Sequence, residues 1–562
     1  MFKTLRSSTP KFALFFLLFT TGLLLRTPVF AQTVSGHFFI GGLQEESSSS
    51  IIELSDGDYF FCGNTKSYGN GGHDLLMIRF NPDFSIEWQK TVGGVSDDYF
   101  NNMTLPIENN DSSLTILAMT NSFGMGQADI LVQKISSNGN IIWSKIYGGN
   151  QSERSDVIKP TLDGGYIFGG HTDSYNTLSS TVTERDLFLV KIDSSGNVLW
   201  SKTMGTTDNN DLNSSNSSTQ ITDITILQDS SFIIAGVMEG LSSLDASNFI
   251  ARINSDGSIN WFKKYTESTA DGYEVINSIS LQENNNAIAC GLTTYGTIGG
   301  TGKGLVFSFN IDNGTINWSN IYGHTSSSTN WVFNSLKEST NKYVMSLYQD
   351  GSGFGNFDVS SFAIDSNGTI LQQKVFGTSN FDRSTNFTHT SDGGYIFSGI
   401  SGTGANSDSY LIKVDSSWNT PCNNSNIVIN MESITITPQS YNPTIVSSIN
   451  SSSISLTSIN ENVNIDTLCS FISSITDYSN KMELEIYPNP TSNILFIKIP
   501  TNNKFDRLEI IDINGKISTN YNSILKNGTL EINVEDLPNG TYFIQMFKNS
   551  QPIYSNKFSV IK

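Results

Sequence analysis

The sequence predicts an all-β fold: a seven-bladed β-propeller closed by an N-terminal strand, followed by a small C-terminal β-sandwich. Three observations carry the prediction. A strand-and-turn unit recurs seven times; its strands are apolar on both faces; and after the last copy the composition shifts to a Ser- and Asn-rich stretch and then to a set of short alternating strands.

Taken in order, Lys3, Arg6 and Lys11 precede an apolar run from Phe12 to Leu25, with Val29 and Ala31 placed for signal-peptidase cleavage. Residues 1–31 therefore read as a signal peptide, too short in its apolar run to span ~30 Å of hydrocarbon. No later segment has the length of a spanning helix. Loss of the four basic residues of the leader takes the formal charge from −20 to −24. Such a chain is a poor partner for nucleic acid. The five histidines, at 37, 73, 171, 324 and 389, lack the spacing of a zinc helix and read mostly as surface residues.

Residues 32–420 hold the repeat. Turns of the DGGY type open at Asp56, Asp111, Asp163, Asp229, Asn284, Thr340 and Asp392. Each is followed by a strand, a loop, a strand usually led by Asp, a second turn, and a strand that carries Trp88, Trp143, Trp200, Trp261 or Trp318. Gln372 takes that slot in the sixth unit. In the second turn Gly139, Gly196, Gly257 and Gly368 supply a left-handed residue, whereas Phe84 and Trp418 replace it and should distort their turns. Strands such as DLLMIRF and DLFLVKI are apolar on both faces near their starts, which calls for sheets covered on two sides, as stacked blades are. The seventh unit lacks its last strand, and GHFFIGG, Gly36 to Gly42, is free to supply it.

The pattern D-x-[FL]-[LV]-x-K-[IL]-D-x-x-G-N-x-x-W, followed by D-G-G-Y, resembles the bacterial seven-bladed propeller repeats called SBBP repeats, over roughly residues 36 to 420. That resemblance implies the fold and an extracellular setting, and no particular activity.

Cys62 and Cys290 fall in one repeat slot four units apart, too far for a disulfide, and read as buried free thiols. Cys422 and Cys469 flank the Ser/Asn-rich stretch and are expected to pair. Residues 421–483 read as a linker, with the alternative that they lay extra strands against the propeller. In 484–562, alternating strands and polar turns make an antiparallel sandwich of net charge +1. This tail resembles the type A C-terminal sorting domain of the type IX secretion system of Bacteroidetes. The resemblance rests on Tyr487, Pro488, Asn489 and Pro490, then Asp512, Gly515 and Lys516, then Leu537, Gly540 and Tyr542. It implies passage across the outer membrane by the type IX machinery, and a secreted or cell-surface location.

Tight turns lie at one end of every unit and longer, variable connections at the other, which makes the variable end the candidate binding face. Aromatic residues recur there at Tyr68, Phe123, Tyr175, Tyr295 and Phe354, able to stack on sugars or to fill gaps between blades. Acidic residues recur as well, among them Asp98, Glu153 and Asp382; no cofactor is expected, although carboxylates with turn oxygens can hold Ca²⁺, for which a loop of the D-x-[DN]-x-[DN]-G type is missing. Asp also opens the third strand at Asp74, Asp129, Asp186, Asp358 and Asp408, where it can satisfy local N–H groups. A nucleophile elbow, an HExxH, a P-loop and a Cys/His pair are all missing from the contexts that would give them meaning. The function expected is non-catalytic binding of extracellular polysaccharide or protein. The alternative is a secreted hydrolase or lyase with acidic residues in the central channel.

Overall fold

A computed structural model describes residues 34–562 apart from 176–184, 206–218, 240–245, 267–273, 295–301, 325–329, 473–484, 499–506, 513–516, 522–528 and stretches of one to three residues. The signal peptide lies outside the described residues. Among them there is no helix long and apolar enough to cross a membrane. The structure is all-β and antiparallel.

Seven sheets follow one another along the chain. Their first strands are Glu46–Glu53, Asp98–Tyr99, Glu153–Pro160, Gln220–Ile226, Glu274–Leu281, Asn330–Ser339 and Asp382–His389, and each sheet adds its later strands in sequence order. The seventh takes its fourth strand from Val34–Gly41, with Phe38 opposite Leu411 and Phe39 opposite Tyr410. Each sheet packs on the next, and the seventh packs on the first.

The contacts that join neighbours start from one irregularity. In six of the first strands a β-bulge falls at the same slot, for example between Ser48 and Ser50 and between Ser155 and Val157. Side chains at the bulges, and Asn101 after the short first strand of sheet 2, reach the backbone of the next sheet: Ser49 Oγ donates to Asn101 O (2.5 Å), Asn101 Nδ2 to Ser155 O (2.5 Å), Asn277 Nδ2 to Val332 O (2.8 Å) and Thr385 Oγ1 back to Ser49 O (3.1 Å). An extra residue in the strand thus becomes a link across the seam.

At the outer side the Trp and Gly slots explain one another. Trp88 Nε1 donates to Ser137 O (2.9 Å) and Trp200 Nε1 to Ser255 O (3.1 Å), so each indole clamps the turn of the following sheet. The turn glycines have φ of 74° at Gly139 and 82° at Gly257, and a Cβ at Gly139 would lie 2.9 Å from the Trp88 ring. Phe84 and Trp418 keep this turn, each at φ 63° with the same backbone hydrogen bond (2.9 Å), so the distortion expected of them is absent. The reason is a swap of partners. Opposite Trp418 the Trp slot holds Gln372, whose Nε2 donates to Ser417 O (3.3 Å). Opposite Phe84 it holds Gly36, which pairs with Lys413 as Trp143 pairs with Lys134. The aromatic ring comes from the turn wherever the strand lacks it. Trp418→Gly is expected to cost ~3–5 kcal/mol, and adding Gln372→Trp to recover much of it; strict additivity in a double-mutant cycle would refute the swap.

The segment expected as a linker is built into the sheets. Asn424–Ser425 pairs with the outer strand of sheet 6, Asn430–Ser433 with sheet 5, Thr437–Ser440 with sheet 4, Thr444–Val446 with sheet 3, Asn450–Ser453 with sheet 2, Ile459–Asn460 with sheet 1 and Asn464–Ile472 with sheet 7. The chain runs back around all seven sheets, one strand per edge, and covers the edges that would template aggregation.

In the C-terminal domain a three-stranded sheet and a four-stranded sheet enclose a core that includes Leu495, Ile510, Ile532, Ile544 and Phe558.

Candidate functional site

The first strands enclose a cavity of about 340 Å³, bounded by residues 157–159, 222–223, 277–281, 334–337 and 385–388 together with Leu105. These residues lie from the bulges towards the tight-turn end. Lys159 Nζ sits 3.1 Å from Asp223 Oδ1, while Asp223 Oδ2 accepts the Ile279 N–H (2.7 Å). Ser280 Oγ lies 3.0 Å from Ser335 Oγ and Ser278 Oγ donates to Asn334 Oδ1 (3.0 Å). The walls therefore carry hydroxyls, amides and one ion pair, with no pair of carboxylates.

A second cavity, of about 440 Å³, opens at the tight-turn end of the seam between sheets 5 and 6. Its floor includes Trp318 and Tyr343, and its rim is made almost wholly of neutral amides and hydroxyls. Ser308 Oγ donates to Gln282 Oε1 (2.6 Å), Asn317 Nδ2 to Asn286 Oδ1 (3.1 Å), and the Ser366 N–H to Asn341 Oδ1 (2.9 Å).

The acidic residues singled out in the sequence are held apart in three different sheets. Each faces the Asp that opens the third strand of the preceding sheet: Asp98 with Asp74, Glu153 with Asp129, and Asp382 with Asp358. All six are at most 1% exposed. Backbone amides anchor one edge of each, as Gly94 N–H does for Asp98 Oδ2 (2.7 Å), Gly149 N–H for Glu153 Oε2 (2.6 Å) and Asn70 N–H for Asp74 Oδ2 (2.7 Å). The adjacent glycines make room, because a Cβ at Gly148 would lie 1.6 Å from Asp129 Oδ1. The other edge is left over: Asp74, Asp98, Asp129, Asp358 and Asp382 each keep a buried oxygen that accepts no hydrogen bond. Burial, reinforced by the neighbouring carboxylate, raises Asp74 and Asp129 and pushes Asp358 up to about 6. Among the described residues no group of three or more His, Cys, Asp or Glu could hold a metal ion.

The histidines depart from the surface reading at two positions. His37 and His171 are buried, and loss of hydration pulls them down to about 4 and about 3. Cys62 and Cys290 are buried free thiols, with burial pushing Cys290 up to about 12.

Of the recurring aromatics, Tyr68 and Tyr175 donate their hydroxyls to Gly41 O (3.3 Å) and Gly148 O (2.9 Å) across the seams, and Phe123 packs into the core between sheets 1 and 2. Phe354 is 38% exposed. Tyr295 lies outside the described residues, as do Gly515 and Lys516. The rest of the tail motif serves the local fold. Asn489 Oδ1 accepts the Ser559 N–H (2.9 Å) between Pro488 and Pro490, Tyr487 stacks on Phe496, Leu537 and Tyr542 are core, and Asp512 ends a strand opposite Tyr542. Gly540 opens the strand in which Tyr542 Oη bonds to Pro538 O (2.9 Å).

No curated protein matches the chain. Among solved structures it is similar to a protein of unknown function from Bacteroides caccae, at 12% identity and TM-score 0.30, over 52% of this chain and 89% of that one. It is also similar to the extracellular domain of a hybrid two component system from B. thetaiotaomicron, at 10% identity and TM-score 0.23, over 91% and 80%. Residues 485–562 match the secretion system C-terminal sorting domain. The chain thus carries a type IX sorting tail and is a secreted or cell-surface protein.

Proposed function

We propose that the seven sheets are the blades of a seven-bladed β-propeller of the SBBP type, and that the exported protein binds extracellular polysaccharide or protein without catalysis. The observation that carries this reading is the division of the sheets into two ends, tight hairpins at one and long, unequal connections at the other, with the seventh sheet packed on the first. The variable end, where Phe354 is exposed, is the binding face on this reading. A hydrolase would need a raised carboxyl pair in a cavity; here the facing pairs are shut into the seams, and among the described residues that line the cavity between the first strands the one carboxylate, Asp223, is already paired with Lys159. A signal peptide over residues 1–31 and engagement of the type IX machinery by the tail complete the proposed route. A disulfide between Cys422, which lies outside the described residues, and Cys469 is part of the same proposal; Cys62 and Cys290 are buried free thiols, which leaves these two cysteines to pair.

Screening the mature chain on a glycan and protein array, with Ca²⁺ and with a chelator, tests the function. Binding to one ligand class is expected, and loss of it with chelator would assign Ca²⁺ to the acidic seams. No binding, together with cleavage of polymer in a reducing-sugar assay, would replace this reading with the hydrolase.

A further inference from the structure

The seam between sheets 5 and 6 is where the repeat departs most from its own pattern. Five of its opening turns begin with Asp, but the fifth and sixth units open on Asn284 and Thr340. Those two units are neighbours in space, and their turns border the cavity of about 440 Å³. In sheet 5 the turn runs Glu283-Asn284-Asn285-Asn286, with φ of 56° at Asn284 and 55° at Asn285, and it leaves exposed amide side chains where sheets 1, 3 and 7 carry Gly57, Gly164 and Gly393 and sheets 2 and 4 carry Ser112 and Ser230.

The chemistry of the groove is uniform. Gln282, Asn286, Asn317 and Asn341 present amides held by the hydrogen bonds described above, and Trp318 lies half-buried beside them with its indole N–H fixed on Ser366 O (2.9 Å). No cation lines it, and its one carboxylate, Glu283, is paired with Lys337 at 2.7 Å. A charged ligand would meet no counter-charge. A ligand with many uncharged donors and acceptors and an apolar C–H face would meet amides and an aromatic ring together.

We infer that this groove binds a neutral carbohydrate chain. The inference rests on the reading of the protein as a binder and adds to the variable-end face a carbohydrate site at the tight-turn end. Asn317 and Asn284 are exposed and Trp318 forms the stacking surface. Asn260 holds the slot of Asn317 in sheet 4, one seam away, and serves as the control.

The test uses the mature full chain and neutral oligomers of glucose, mannose and xylose, measured by titration calorimetry. One oligomer is expected to bind, with affinity falling about tenfold or more in N284A/N317A and unchanged in N260A or with chelator. In the unaltered chain the same oligomer should shift the indole N–H resonance of Trp318, a readout that needs no variant. Binding that survives N284A/N317A without moving the Trp318 signal would overturn the groove and leave the binder reading intact. Binding only to charged glycans or to proteins would overturn the ligand class. Absence of binding to every array component would remove both readings.

Discussion

On the proposed pairing of Cys422 with Cys469, reduction of the disulfide is expected to lower stability by about 4 kcal/mol, the amount by which closing a loop of this length restricts the unfolded chain. The course of the chain between the two ends gives the bond a role beyond entropy. Residue 422 lies outside the described residues, two positions before the strand Asn424–Ser425 on sheet 6, and Cys469 lies in the strand on sheet 7, opposite His37. Between them the chain passes the edges of sheets 5, 4, 3, 2 and 1. The bond would close a covalent hoop along the sheet edges, and its reduction would let the belt peel from sheet 7, whose fourth strand is itself held by the pairing of Phe38 with Leu411. Urea melts of the oxidised protein, the reduced protein and C422S should show the oxidised form alone with the higher midpoint. Thiol counting gives an independent check: the denatured, unreduced chain should label at two sites, Cys62 and Cys290. Labelling at Cys469, or equal midpoints, would break the hoop.

The belt also shows where sequence reading stops. The repeat is legible because most units make the same links: a left-handed glycine under an indole, an Asp on a loop amide, a small residue beside a carboxylate. The strand missing from the seventh unit and the tail motif were legible for the same reason, that few residue types satisfy a fixed geometry. Residues 421–472 obey a looser rule. Their strands are two to four residues long for the most part and bond through backbone groups, which any residue except Pro supplies. The recoverable signal was an apolar residue or pair about every seven positions, Ile427 and Ile429, Ile434 and Ile436, Tyr441, Ile449, Ile454 and Leu456, Val463 and Ile465, each packing into a seam core. The aromatics after the second strand were read as a face or as plugs, a choice that only the hydroxyl contacts of Tyr68 and Tyr175 could inform. The amide-rich groove was visible only as two lapses from DGGY, because adjacency of sheets 5 and 6 is what turns two lapses into one site.

Asp358→Asn is expected to stabilise the protein at pH 7, against the usual result of removing a charged residue. Asp358 belongs to sheet 6 and faces Asp382 of sheet 7; its Oδ2 accepts the Phe354 N–H (3.0 Å), its Oδ1 accepts nothing, and Tyr410 of sheet 7 feels both carboxylates. Its folded value of about 6 stands above the ordinary 3.8 of the unfolded chain. The sign follows. Protonation favours the folded state, so its contribution is fully present below about 3.8 and is lost as pH rises through about 6. At pH 7 the native protein holds the Asp358 carboxylate against Asp382, whose own carboxyl is raised by burial, with one unbonded oxygen on each. An amide at 358 keeps the acceptor for Phe354 N–H and offers Asp382 a donor, and the gain should be on the order of 2 kcal/mol at pH 7 and close to zero at pH 4. His37 and His171 tilt the wild-type profile the other way, since their low folded values remove stability as pH falls below the ordinary 6.5. Only the difference between variant and wild type isolates the seam. Melts of both proteins at pH 4, 5.5, 7 and 8 should therefore diverge with rising pH. A loss of stability in D358N at pH 7 would mean that the pair is neutralised by something other than a proton, and a gain in the wild type on adding Ca²⁺ at pH 8 would identify it; a gain of equal size at pH 4 would mean that relief of charge is not its cause.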